Sequence, residues 1–220
     1  MTEIVLNEAL SEVSLLVVSS ALAFLALALV LFSFQLVKLN TEDQTDPEKF
    51  SQVEKAGFVL LWVATIVLGV GVVLRGISAG RVPWANMYEF SISGAFLILL
   101  IYLTALKIRD LRFIATFIAG FALITLFAAV SLFYVEVQTI MPALQSYWLV
   151  IHVVVAIMAT GFFSVAAGLH LFYLLKASGK AQKLFQRFPD LQQLERVAYR
   201  FNVVGFVLWS FTLIAGALWA

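Results

Sequence analysis

The sequence predicts an all-α polytopic membrane protein with six transmembrane helices. Of its 220 residues, 63% are hydrophobic and 12% are charged, and the mean hydropathy is +1.01. Six separate apolar runs are long enough to cross a bilayer, which takes about 20 residues each. Six such spans use about 120 residues. The remainder suffices only for ends and connections, so we expect residues 1–220 to form a single transmembrane domain.

The apolar runs give the predicted helices in chain order. They are Leu15–Val37, Gly57–Leu74, Phe90–Leu106, Phe113–Tyr134, Tyr147–Leu175 and Phe201–Trp219. The first run is too long for the apolar part of a signal peptide, and Glu3, Glu8 and Glu12 stand where such a peptide carries positive charge. We therefore predict that it is a transmembrane helix.

The basic residues predict the orientation of the helices. Alternate connections hold 12 Lys and Arg residues on one side and 2 on the other. By the positive-inside rule both termini lie outside, and the fifth helix runs from outside to inside. All 27 charged residues and the four prolines fall between the predicted runs. Uncharged, unbroken spans make an ion-coupled transporter the third interpretation of this chain.

Composition also limits the chemistry. There is no cysteine, so the chain carries no disulfide, thiolate metal site or thiol-exchange pair. A net charge of +1 gives no bulk attraction to nucleic acid. The sequence lacks a phosphate-binding glycine loop, a HExxH pair and a GxSxG elbow, and shows no nucleophile with an acid or base partner. We therefore assign no enzymatic activity to this chain alone.

The two histidines both lie on the predicted fifth helix. His152 and His170 are 18 residues apart, a rise of about 27 Å, so they cannot share one iron. His152 lies about one and a half turns from the external end, a position that suits an axial haem ligand; an interfacial histidine bonded to a carbonyl or water is the alternative. His170 is interpreted as a buried or snorkelling polar residue.

The second external connection, residues 80–90, is rich in special residues. Asn86 and Glu89 have the spacing of a helix N-cap and its capping box. That spacing by itself is a sufficient structural explanation of the segment.

A functional interpretation of the same connection is also open. Arg81, together with Arg75, offers guanidinium groups to haem propionates, while Trp84 and Tyr88 pack on the edge of the macrocycle. The two aromatic residues also fit the ordinary aromatic belt of a membrane interface.

Two further patterns concern helix packing. Small residues recur at four-residue steps after His152 and predict the close approach of another helix; they are Ala156, Thr160, Ser164 and Gly168. Residues 181–200 alternate apolar and charged positions at helical spacing, which predicts an amphipathic helix in the interface, broken near Pro189.

Two strings resemble one family. GRVPWANMYEFSISGAFLILLIYL, residues 80–103, resembles the external loop and following helix of CcsA/ResC-type (system II) cytochrome c assembly proteins. MPALQSYWLVIHV, residues 141–153, resembles a second segment of that family, with His152 at the position of an external haem-ligand histidine. The C-terminal helix, from Leu194 onward, is similar to the one that leads into the family's haem-binding motif.

The resemblance implies a multi-pass protein of a plasma or thylakoid-type membrane. It implies haem as cofactor or cargo, His152 as an axial ligand of the haem iron, apocytochrome c as the acceptor and a CcsB/ResB-type membrane partner. In the family a tryptophan-rich external motif follows, whereas this chain ends at Ala220. A truncated chain, a reading frame split in two and a short relative are all compatible with that end. The alternative function is a non-catalytic membrane scaffold or accessory subunit.

Overall fold

The computed structural model describes residues 7–41, 51–138, 146–179 and 188–219. The described part is helical and contains no β-strand. Its helices are α1 (Glu8–Thr41), α2 (Gln52–Ala79), α3 (Met87–Leu106), a 3-10 turn (Arg112–Ile114), α4 (Ala115–Leu132), α5 (Tyr147–Ala177) and α6 (Leu191–Trp219). Six of them are long and apolar enough to cross a membrane, which confirms the predicted fold class.

The first two helices form an antiparallel pair. Phe32 of α1 fits against Gly57 of α2, where an added Cβ would lie 2.7 Å from the ring. Near the other end the Ser14 hydroxyl donates to the carbonyl oxygen of Gly71 at 2.8 Å. Close contact at both ends keeps α1 and α2 together along their length.

The centre of the bundle is formed by α3 and α4. Helix α4 packs on α1 and α3, and α3 packs on α2 and α5. The buried Tyr102 of α3 donates its hydroxyl proton to the carbonyl oxygen of Leu111, and the fully buried core around it includes Leu99, Ile118 and Leu126. Large apolar side chains on the outward faces are exposed, as a lipid environment requires.

The small residues of α5 receive side chains from two helices. A Cβ added to Gly168 would lie 2.7 Å from Phe117 of α4, and one added to Gly161 would lie 3.8 Å from the Cα atom of Ile98 in α3. Thr160 and Ser164 instead bond to carbonyl oxygens of their own helix. The predicted close approach therefore occurs within this chain.

The last helix differs from its prediction. The segment expected to be a separate interfacial helix is, from Leu191 onward, the beginning of α6, which runs without a break to Trp219. Leu194 and Ala198 are buried, so the apolar face of this segment packs on protein. Residues 181–187 lie outside the described part. Helix α6 packs chiefly against α5, and Phe163 of α5 contacts Gly205.

The bundle has two faces, which we name by the chain. The N-terminal face is where α1, α3 and α5 begin; the opposite face is where they end. On the opposite face Arg112 pairs with Asp110 at 2.6 Å and lies 3.7 Å from Glu54, and its hydrogen bonds lower the pKa of Asp110. The Lys176 ammonium donates to the carbonyl oxygens of Phe188 and Pro189, just before α6.

The orientation of the bundle stays a prediction, and the absence of native cysteine makes it testable. In whole cells a membrane-impermeant maleimide is expected to label Thr2→Cys, because the charge bias places the N-terminal face outside. Arg109→Cys, in the connection on the opposite face, is expected to react only after lysis. The reverse pattern would contradict the predicted orientation.

Two glycine substitutions test the packing of α5. Gly168→Ala is expected to lower the thermal unfolding temperature in detergent, because overpacking against Phe117 costs about 1–3 kcal/mol. Gly94→Ala is the control, since its Cβ would meet only Ile157 at 4.0 Å. There the gain in helix propensity, up to about 1 kcal/mol, is expected to prevail. Equal effects of the two variants would argue against the packing described.

Candidate functional site

The turn between α2 and α3 lies on the N-terminal face. Gly80 ends α2 in the left-handed conformation, with φ of 63°, and its amide donates to Gly76 and Ile77. Asn86 begins α3 by accepting the Glu89 amide at 2.9 Å. The predicted N-cap is thus confirmed, and it places Glu89 in the first turn of α3.

A buried ion pair joins the ends of these two helices. The Nε atom of Arg75 lies 3.1 Å from Oε1 of Glu89, and both side chains are 0% exposed. The other guanidinium nitrogens of Arg75 donate to the Ser11 hydroxyl and to the Val135 carbonyl oxygen, each at 2.8 Å. Arg75 therefore links α2 to α1, to α3 and to the segment after α4.

The ion pair and its surroundings correct the sequence-based prediction in three respects. Arg75 and Glu89 were expected outside the spans, but they lie within α2 and α3 and are buried. The guanidinium of Arg75 is also fully used inside the chain, so only Arg81 remains for the predicted propionate role. The capping box is shifted as well, because the Glu89 carboxylate accepts from the Ala85 amide instead of that of Asn86.

Arg81 supplies a second positive charge to the same carboxylate. Its NH1 atom lies 2.6 Å from Oε2 of Glu89, and its NH2 atom lies 3.2 Å from Oε1. The cluster of Arg75, Arg81 and Glu89 holds two cations and one anion. Its net charge is therefore +1, which favours an additional anion nearby.

Two buried donors of this cluster have no partner among the described residues: the Nε–H group of Arg81 and the hydroxyl of Tyr88. The Tyr88 ring packs edge-on against Tyr134 with centroids 5.1 Å apart, and Arg75 lies 5.1 Å from the Tyr88 centroid. Buried polar groups are nearly always hydrogen-bonded. Two unpaired donors beside a net positive charge are chemically suited to a carboxylate.

His152 lies at the same depth as this cluster. A Cβ on Gly94 of α3 would lie 4.0 Å from Ile157 of α5, and one on Gly161 would lie 3.8 Å from Ile98. Both contacts have the same offset of 63 residues (157 − 94 and 161 − 98), and this offset pairs position 152 of α5 with position 89 of α3 along the two parallel helices. It places His152 level with Glu89.

The surroundings of His152 leave its nitrogens available. The ring packs against α6 at Gly216, where an added Cβ would lie 3.0 Å from its Cε1 atom. The side chain is half-buried. Neither ring nitrogen has a hydrogen-bond partner in the described part of the chain.

Trp84 and His170 are placed differently. Trp84 is half-buried in the turn after α2. His170 lies near the opposite face, where its Nε2 atom is 2.9 Å from the side-chain amide nitrogen of Asn202 in α6. Asn202 is 32 residues from His170 in the chain, so no local sequence pattern indicates this pair.

The sequence of this chain is similar to those of cytochrome c assembly and biogenesis proteins. The family described as "Cytochrome C assembly protein" matches residues 84–220. Protein HemX of Bacillus subtilis is 31% identical over 178 residues, 76% of this chain and 63% of that protein. The cytochrome c biogenesis protein CcsA of Chlamydomonas reinhardtii is 26% identical over 170 residues, 74% of this chain and 48% of that protein. The CcsA protein of Prochlorococcus marinus is 24% identical over 192 residues, 74% of this chain and 61% of that protein.

The matches cover only part of each relative. This chain spans between 48% and 63% of the length of these three relatives. The family match includes the turn with Trp84, all of α3 and every later helix. Helices α1 and α2 precede residue 84, where the family match begins. They supply Arg75 and its hydrogen-bond partner Ser11.

The buried ion pair yields a stability prediction. Arg75→Ala is expected to lower the free energy of unfolding by about 3–5 kcal/mol, because it leaves the Glu89 carboxylate buried with one cation fewer. Arg75→Lys is expected to be intermediate, since an ammonium lacks the planar fork that reaches three partners. Thermal unfolding in detergent is the measurement.

The control for this prediction is Arg109→Ala, which removes an exposed arginine from the opposite face. Exposed substitutions of this kind change stability by about 0.5 kcal/mol or less. A loss in Arg109→Ala as large as that in Arg75→Ala would contradict the structural role of the pair.

Proposed function

The chain belongs to the cytochrome c assembly protein family, and we propose that it binds haem on its N-terminal face during cytochrome c biogenesis. The observation that supports this most is the shared depth of the His152 imidazole and the unpaired donors of Arg81 and Tyr88. In this proposal haem is cargo, to be passed to an acceptor.

Four side chains match different parts of haem. A neutral imidazole nitrogen is a common axial ligand of haem iron, and the nitrogens of His152 have no other partner among the described residues. The propionates are carboxylates, which the Arg81 Nε–H group and the Tyr88 hydroxyl would pair. Trp84 offers an aromatic surface to the ring edge.

The position of His152 against α6 adds a steric element. Its ring lies over Gly216, and a Cβ there would contact the imidazole at 3.0 Å. Glycine at this position therefore lets the ring lie close to α6.

The proposed partners are the ones that the family resemblance implies. We propose apocytochrome c as the acceptor and a CcsB/ResB-type membrane protein as the partner, in a plasma or thylakoid-type membrane. Helix α6 offers a surface for such a partner, because Phe206, Val207 and Ile214 are more than 60% exposed while the helix packs chiefly on α5.

The exposed face of α6 also favours the second candidate, an accessory subunit without haem. The two functions differ in one observable. An accessory subunit co-purifies with a membrane partner but carries no haem, whereas the proposed function requires haem at His152.

The experiment is to purify the protein after expression with ample haem and to record its absorption spectrum. His152→Ala is expected to lose the bound haem or to shift its bands, because the axial nitrogen is removed. Free imidazole added to this variant is expected to restore the wild-type bands. His170→Ala is the matched control and is expected to leave the spectrum unchanged.

Two further variants test the geometry. Arg81→Gln is expected to weaken haem binding about tenfold, the value of one charge-assisted hydrogen bond. Gly216→Ala is expected to shift the spectrum while keeping the ligand, because the added methyl group displaces the His152 ring. If haem content and spectrum are the same in His152→Ala as in the wild type, His152 is not the ligand.

A further inference from the structure

A second polar cluster lies at the opposite face, in a groove between α5 and α6. The groove is a shallow surface depression with a volume of about 550 Å³ and is largely open to its surroundings. Its lining residues are His170, Gln192, Glu195, Arg196, Tyr199 and Asn202.

The floor of the groove is fixed by a bond between the two helices. His170 and Asn202 are joined at 2.9 Å and are both half-buried. Gln192, Glu195 and Tyr199 follow one another at three- and four-residue steps on α6, so they form one face of that helix. The polar side of the groove is thus a preformed stripe along α6.

The lining of the groove contains one negatively charged and one positively charged side chain. Glu195 and Arg196 are exposed, and neither forms an ion pair within the described ranges. An unneutralised carboxylate and an unneutralised guanidinium on one lining favour a zwitterion over a simple anion. The amide of Gln192 and the hydroxyl of Tyr199 add neutral hydrogen-bonding groups.

The groove lies where the polar surface meets the apolar one. The apolar part of α6 begins at Phe201, directly after Arg200 and a little more than one turn beyond Arg196. Phe206, one turn deeper than Asn202, is 65% exposed. A ligand with a polar head in the groove would therefore have its apolar part beside Phe206, in the hydrocarbon region.

We propose that this groove binds the headgroup of a phosphatidylethanolamine-type phospholipid. The phosphate pairs with Arg196, which makes charge-assisted hydrogen bonds to phosphate oxygens. The primary ammonium donates to the Glu195 carboxylate, and the acyl chains lie along the exposed face of α6. The site is separate from the one proposed for haem and does not depend on it.

The chemistry of the groove discriminates among headgroups. A choline headgroup has no N–H to donate to Glu195, so it forgoes the hydrogen bonds that ethanolamine makes. An anionic glycerol headgroup places no positive charge beside Glu195 and is repelled by it. The expected order of binding is therefore ethanolamine first, then choline and glycerol.

The test is native mass spectrometry of the purified protein titrated with phosphatidylethanolamine, phosphatidylcholine and phosphatidylglycerol of the same acyl chains. We expect one tightly bound phosphatidylethanolamine, retained about fivefold better than the other two, the value of one ion pair near the surface. Arg196→Gln is expected to remove this preference. Arg109→Gln, the same charge change on an exposed residue in the connection after α3, is expected to keep it.

Glu195→Gln distinguishes the proposed polarity of the site. Without the carboxylate, phosphatidylglycerol is expected to bind as well as phosphatidylethanolamine, because the repulsion is gone and the phosphate contact remains. Equal binding of all three lipids by the wild type would overturn the proposal, as would equal losses in Arg196→Gln and Arg109→Gln. Displacement of the lipid by an equal concentration of water-soluble glycerophosphoethanolamine would overturn it too, since a free solute would then be the ligand.

Discussion

The burial of Arg75 is the constraint on which the N-terminal half of the structure depends. A guanidinium that is 0% exposed in a membrane protein needs hydrogen-bond partners from the protein itself, and each of the three nitrogens of Arg75 has one. Its partners come from α1, from α3 and from the segment after α4. Satisfying one side chain therefore fixes the relative position of three other elements, and it holds Glu89 where Arg81 can reach the same carboxylate.

The helices were predictable from sequence, whereas the site was predictable only in part. Hydropathy identifies a span because lipid cannot hydrogen-bond the backbone, so each crossing must be a long apolar helix. The partners of Arg75 are 14, 60 and 64 residues away, and no local pattern reveals such pairings. Glu89 was recognised as a capping residue, and the arginine one turn before the end of the preceding helix was the available signal for its second role.

Tyrosines show how the structure distinguishes a packing group from a binding group. Tyr102 and Tyr88 are both buried on α3. The hydroxyl of Tyr102 donates a hydrogen bond to the carbonyl oxygen of Leu111, so its polar atom is paired within the core. The hydroxyl of Tyr88 has no such acceptor in the described chain. Composition and spacing treat the two alike, and only the three-dimensional environment separates them.

The Arg75–Glu89 pair also bears on how the protein enters the membrane. A lone arginine costs about 2.5–3.5 kcal/mol at the centre of a spanning helix and less near its end, where Arg75 lies. Here the neutralising carboxylate is only 14 residues further along the chain, in the next helix. The two charges can meet as soon as α2 and α3 emerge together from the insertion machinery, with Ser11 already synthesised and Val135 still to come. The short connection between α2 and α3 therefore keeps the two opposite charges close together in the chain as it enters the membrane.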